Sequence, residues 1–297
     1  MTLAVGLGST VYGWTEHAGV GLLRAHSPSS WIMSLDFSSA QGGKSILAYG
    51  LADGHLYLMT PDEAGSARFE IGHPSPVVYV RWRPKATRRS SRCPFNSGVP
   101  VETEDLLVGD HGGDLFYYIV EWPMRWEVER NTWPGQVTLV ARIRAHRAQI
   151  CGLAWSPSGE LFASGANDNH CCLFSVNQIF GPPRRDAHGT NVESDGRGSE
   201  LDPVPTVEFD GQEWEYEDGS RRTVNMSPPA VRNMLRGSER HRWGHNSAVK
   251  AIAFCPWFDG LIATGGGTHD KCIRFFHTTT GAALATIRVS AQVTSLV

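Results

Sequence analysis

Cys151-Gly-Leu-Ala-Trp155-Ser-Pro157 is a strand-length run of alternating character that ends on an aromatic ring and breaks at a proline turn. The phrase has three further copies: Met33-Ser-Leu-Asp-Phe37-Ser, Tyr79-Val-Arg-Trp82-Arg-Pro84 and Lys250-Ala-Ile-Ala-Phe254-Cys-Pro256. Each is followed by a second apolar run that closes on glycine: Ile46 to Gly50, Leu106 to Gly109, Leu161 to Gly165, Leu261 to Gly265. A tight turn comes next, holding Asp53, Asp168 or Asp270 in three of the four. A third apolar run completes the unit at His55–Met59, Leu115–Ile119, Cys171–Ser175 and Cys272–Phe276. The N-terminal Leu3 to Leu7 and Thr10 to Trp14 read as the back half of one more unit. Strand, turn, strand, Asp turn, strand and a weaker outer strand is the sequence form of a four-stranded propeller blade.

Propeller repeats of the WD class place a histidine ahead of the aromatic-ending strand, where His26, His146 and His245 stand. Such a histidine can bond the turn aspartate, because a partly buried carboxylate requires a donor. Asp53, Asp168, Asp270, His146 and His245 are therefore read as structural blade turns, not as a catalytic set. The anchors Phe37, Trp82, Trp155 and Phe254 are spaced by 45, 73 and 99 residues. A WD-type blade needs roughly 40–45 residues, so the two longer intervals carry insertions. Residues 84–104 form a basic, Ser-rich insertion and residues 178–240 a longer polar one; both are expected to be exposed and mostly disordered loops. The expectation is one all-β domain over 1–297: a WD-repeat β-propeller of about five blades, with Ala291 to Val297 opening a sixth. Relative to a seven-bladed ring the chain is expected to be truncated at both ends.

Composition narrows the function. Net charge is −3 over 297 residues, far from the basic footprint of a phosphate-gripping protein, so no nucleic-acid partner is expected. No apolar run approaches the roughly 18 residues of a membrane-spanning helix, so no membrane association is expected either. The six cysteines, Cys93, Cys151, Cys171, Cys172, Cys255 and Cys272, form no Cys-x-x-Cys pair. That argues against a zinc ribbon and for a reducing compartment, nucleus and cytoplasm. No secretory signal is expected.

Motifs of bond chemistry fail on inspection. Gly43-Lys44-Ser45 ends like a phosphate loop, but Ser38 stands where the first glycine is required. Gly6-x-Gly8 lacks the third glycine of a dinucleotide site. There is no Gly-x-Ser-x-Gly elbow and no His-Glu-x-x-His, and the histidines are scattered singly. The expectation is a non-enzyme with no cofactor and no metal. The basic stretch from Arg81 to Arg92 reads as a solvated loop. Arg232-Asn-Met-Leu235 has the Arg-x-x-Leu form of a destruction box, and Ser227-Pro228 the form of a proline-directed phosphorylation site.

Two stretches are more restrictive than any generic repeat. Ala145-His-Arg-Ala-Gln-Ile-Cys-Gly-Leu-Ala-Trp-Ser-Pro, running on to Gly165-Ala-Asn-Asp-Asn169, resembles the fourth blade of the Fizzy and Fizzy-related proteins. His245-Asn-Ser-Ala-Val-Lys-Ala-Ile-Ala-Phe-Cys-Pro-Trp257, with Gly265-Gly-Gly-Thr268, is similar to that family's fifth blade, and Leu3 to Trp14 to its first. The family's members are substrate-recruiting activators of the anaphase-promoting complex, a ubiquitin ligase. The resemblance implies that the propeller's top face reads short degrons of the Lys-Glu-Asn type. It assigns degron binding to Tyr12, Asn167, Thr268 and Gln292. It implies anaphase-promoting complex subunits and degron-bearing substrates such as cyclins as partners, in mitosis or, given the large inserts, in meiosis. The rival reading of the same propeller is a WD-repeat scaffold for another complex that reads no degron.

Overall fold

The computed structural model describes residues 2–38, 45–61, 67–131, 133–182, 206–208 and 231–296. Gly43, Lys44 and Ser227-Pro228 lie outside them.

The short apolar runs pair into five sheets among the described residues. Blade one is β1 (Thr2–Leu7), β2 (Thr10–Thr15) and β3 (Gly19–Ala25). Blade two is built from β4 (Ile32–Phe37), β5 (Leu47–Leu51), β6 (His55–Met59) and β7 (Phe69–Gly72). In blade three β8 (Val77–Trp82) is followed by β9 (Thr87–Ser90), β10 (Pro100–Asp110), β11 (Asp114–Glu121) and β12 (Gln136–Arg144). Blade four holds β13 (Ile150–Trp155), β14 (Leu161–Ala166) and β15 (His170–Ser175). Its outer strand β18 (His241–Gly244) comes after β16 (Thr206–Glu208) and β17 (Arg232–Met234). Blade five is β19 (Val249–Phe254), β20 (Leu261–Gly266), β21 (Cys272–His277) and β22 (Ala283–Arg288). This is the WD-repeat propeller that the repeat predicts.

The core lies between blades, not within them. One apolar cluster joins blades one and two through Val11, Leu23, Leu47 and Tyr49. Others join two to three, three to four, and four to five. A sheet covered on both faces reads as a near-continuous apolar run, which is why strands such as Leu47–Leu51 are buried at every position.

Glycine sets how closely the blades approach. Gly6, Gly50, Gly109, Gly165 and Gly265 sit at or near the ends of β1, β5, β10, β14 and β20. An added Cβ would lie 2.8 Å from Ile32, 2.2 Å from Val77, 2.8 Å from Ile150, 2.4 Å from Val249 and 2.4 Å from Val293. Val293 thus takes beside blade five the place that the leading inner-strand residue of the next blade takes elsewhere. Its N–H bonds Gly266 O at 3.0 Å.

A histidine stitches each neighbouring pair. The backbone N–H groups of His26, His73, His146 and His245 donate to the preceding blade's turn, at Ser9, Gly54, Gly113 and Asn169. The rings reach into the following blade. His146 Nδ1 meets Asp168 Oδ1 at 3.0 Å, and His245 Nδ1 meets Asp270 Oδ2 at 2.9 Å. The expectation that His26 serves Asp53 in the same way is corrected: His26 Nε2 bonds the Tyr49 hydroxyl at 3.1 Å, and Asp53 binds His55. His73, passed over in the sequence reading, bonds the Tyr118 hydroxyl at 3.1 Å. A buried tyrosine hydroxyl takes the Nε2 position in blades two and three that Ser164 and Thr264 take in blades four and five.

The first insertion needs correction as well, and the described residues of the second are partly strand. Within 84–104, β9 pairs antiparallel with the first residues of β10. Arg89 from β9 and Arg83 both bond Asp105, which is fully buried and also accepts from the Tyr117 hydroxyl. The basic charges that suggested a solvated loop are answered by an interior carboxylate. Ser91 and Cys93 are buried too. Within 178–240, β16 adds to β7 and β17 runs parallel to β12, while 183–205 and 209–230 lie outside the described residues. In the Arg-x-x-Leu stretch, Arg232 donates to Ile179 O and Gly181 O and Met234 is buried, while Leu235 is exposed. Two short helices were not foreseen: α1 (Arg125–Asn131) and α2 (Val176–Phe180). Ser175 and Gln178 form a capping box on α2.

Candidate peptide-binding face

Each second-to-third-strand turn ends on a left-handed residue in blades two to five, at Gly54, Gly113, Asn169 and Lys271. That conformation lets two or three residues reverse the chain, so turn side chains project from one end of the propeller. Asn167 and Thr268 sit in such turns of neighbouring blades, and both are exposed. Blades four and five meet tightly beneath them, since Gly165 abuts Val249 and Gly152 abuts Lys250.

Asn167 is held by its surroundings. Its N–H donates to Gln149 O at 2.9 Å. Its Oδ1 accepts from the Cys151 thiol at 3.0 Å, and its Nδ2 lies 3.4 Å from Gln149 Oε1. Burial pushes the Cys151 thiol up, so it stays protonated and remains a donor. Thr268 Oγ1 donates to Gln292 Oε1 at 3.2 Å, and the backbone bond of Val293 fixes the segment that carries Gln292. The structure therefore brings Thr268 and Gln292 together, with Asn167 in the equivalent turn one blade back. Tyr12 stands apart from them. It is half-buried within β2, opposite Val5 and Leu22, three blades from Asn167 along the series.

The turn carboxylates are committed to scaffolding. Burial raises Asp168, but bonds from His146 and from the Arg147 and His170 amides outweigh it and hold the group at about 2. Asp270 is likewise held at about 2, by Arg274 and His245 against burial. Burial also lowers His245, and Arg274 lowers it further against the pull of Asp270. Ser164 and Thr264 complete the two groups on His146 Nε2 and His245 Nε2, each at 2.8 Å. Burial pushes Asp110, in the turn of blade three, up to about 6, against the pull of the Asp114 and Gly113 amides and the Arg142 charge.

Gln149 and Cys151, which orient Asn167, were missed from sequence, because nothing local marks them as its partners. His73 could have been found: Gly72-His73 repeats the Gly244-His245 dipeptide, although His26 and His146 follow alanine.

Comparison with known proteins places this architecture. Residues 137–175 match the WD domain, G-beta repeat, family model. The chain is 34% identical over 302 residues to Protein FIZZY-RELATED 1 of Arabidopsis thaliana, across 99% of this chain and 43% of that protein. It is 31% identical over 206 residues to the meiosis-specific APC/C activator protein AMA1 of Saccharomyces cerevisiae, across 67% of this chain and 25% of that protein. A chain in a crystal structure of the mitotic checkpoint complex shares the fold, with TM-score 0.58 and 22% identity over 99% of this chain and 62% of that one. The chain spans less than half the length of the curated relatives it matches. Its homologues are the Fizzy, Fizzy-related and AMA1-type activators, meiotic members included, and the chain belongs to that family of WD-repeat proteins.

Proposed function

We infer that this chain is the substrate-recruiting propeller of an activator of the anaphase-promoting complex. It binds Lys-Glu-Asn-type degrons at the end that carries Asn167, Thr268 and Gln292, and acts on mitotic or meiotic proteins such as cyclins in nucleus and cytoplasm. The observation that carries the reading is the array of exposed neutral groups at neighbouring blade ends: the Asn167 amide, the Thr268 hydroxyl and the Gln292 amide. An extended peptide bearing a carboxamide and an ammonium needs such donors and acceptors on a rigid scaffold. Tyr12, from blade one, would add an aromatic contact. Recruitment works by raising the substrate's effective concentration near the ligase, with no bond chemistry in the propeller itself.

Fluorescence anisotropy with a labelled Lys-Glu-Asn peptide and a scrambled control tests this. The native chain should prefer the Lys-Glu-Asn peptide, and Asn167→Ala and Thr268→Ala should each weaken it several-fold. Equal binding of both peptides, or equal affinity of the native and substituted chains, would reject the assignment.

A further inference from the structure

A cleft of about 560 Å³ opens at blade four, beside the turn that holds Asn167 and Asp168. Arg147, Arg236 and Arg242 line it, with Asp168, Glu239 and His170. Three guanidinium groups face two carboxylates, and both carboxylates are already engaged. Asp168 accepts from the His146 ring and from the His170 and Arg147 amides. Glu239 accepts from Arg242 Nε at 2.6 Å and from the Gly237 amide at 2.7 Å.

Backbone oxygens help to place Arg236 and Arg242, alongside the Glu239 carboxylate on Arg242. Arg236 donates through Nε and Nη2 to His146 O, at 3.2 and 2.7 Å. Arg242 Nη2 donates to the adjoining Ala145 O at 2.8 Å. Two like charges are thus fixed on consecutive carbonyls of one strand-end loop; Glu239 offsets Arg242, while Arg236 has no carboxylate partner among the described residues. Arg236 Nη1, Arg242 Nη1 and the exposed Arg147 guanidinium have no partner among the described residues.

We propose that this cleft binds a phosphoserine or phosphothreonine side chain presented on a peptide. A phosphoryl group carries nearly two negative charges and three strong acceptor oxygens, which suit three guanidinium forks better than one carboxylate does. The cleft is larger than a bare phosphate needs, and the excess accommodates flanking peptide residues.

Calorimetry on the full chain tests the site with four probes. These are a seven-residue Gly/Ala peptide with one central phosphoserine, its serine form, its glutamate form, and inorganic phosphate. The phosphopeptide should bind at least tenfold more tightly than the serine and glutamate forms. Arg147→Ala and Arg236→Ala should each weaken it about tenfold, as expected for one lost charge-assisted contact. Arg88→Ala, an exposed arginine outside the cleft, should leave it unchanged, which shows that the loss belongs to the lining arginines and not to surface charge in general. Arg147→Ala removes an exposed side chain and should melt like the native chain, so its loss of binding reports the cleft and not the fold. Equal binding of the phosphorylated and serine peptides, or native-like binding by Arg147→Ala, would overturn the proposal. Inorganic phosphate binding as tightly as the phosphopeptide would overturn the peptide part and leave a bare anion site.

Discussion

Val77 occupies the space that a side chain at Gly50 would need: a Cβ there would come 2.2 Å from Val77 Cγ1 and 2.8 Å from Val77 O. The two residues belong to adjacent blades, so the contact sets the spacing of blades two and three near their inner strands. Gly50→Ala should therefore cost about 1–3 kcal/mol, because the backbone oxygen cannot yield as a flexible side chain would. Gly21→Ala, with nothing within 4 Å, should be close to neutral. Urea unfolding of both variants against the native chain measures the difference.

Asp105 gathers Arg83, Arg89 and the Tyr117 hydroxyl in a site with no exposure to solvent. Asp105→Ala would leave Arg83, itself 5% exposed, with only the half-exposed Glu160 as counter-charge, and would strip Arg89 and the Tyr117 hydroxyl of their shared acceptor. A loss of about 3–5 kcal/mol is expected. Arg88→Ala, exposed on the same short strand, should change stability little. Thermal melts of the two variants distinguish a structural insertion from the solvated loop that its composition suggested.

His73 is buried among Phe116 and Tyr118, and desolvation lowers its pKa from 6.5 to about 3. The unfolded chain takes up that proton near pH 6.5, whereas the folded chain resists until about pH 3. The stability that the neutral ring contributes is thus complete above pH 6.5 and declines as pH falls toward 3. One such proton corresponds to a slope of up to about 1.4 kcal/mol per pH unit. His73→Gln should flatten the decline between pH 6 and pH 4, measured by denaturant titrations at fixed pH values. An unchanged slope would show that His73 is charged in the folded protein.

Cys151 acts on Asn167 as a donor, so a hydroxyl should replace the thiol but a methyl should not. Cys151→Ser should keep Lys-Glu-Asn peptide affinity within about twofold. Cys151→Ala, which removes the donor without adding bulk, should weaken it by a factor comparable to one neutral hydrogen bond, roughly fivefold. Anisotropy titrations of the two variants check both values. Equal affinities would mean that Asn167 needs no fixed rotamer.

Periodicity carried much of this fold into view before any coordinates. The aromatic-ending strand, the glycine at the close of the next and the Asp turn recur because each blade must present two apolar faces and reverse its chain in two or three residues. Those are local requirements, and composition, alternation and turn chemistry register them. The sequence by itself therefore determined the architecture, the repeat boundaries and the residues at the blade-end turns.

Partner choice was a different matter. His26 and His146 hold equivalent places in their repeats, yet one ring meets Tyr49 and the other Asp168, because the neighbouring blade decides which acceptor lies within reach. Arg89 looked like loop charge until β9 carried it over Asp105. Arg236 and Arg242 face one cleft only because each docks on a carbonyl about 90 residues away in the chain. Such contacts depend on how the sheets twist and stack against each other. That geometry, rather than any local pattern, decided which polar groups were neutralised inside the propeller and which were left free to bind.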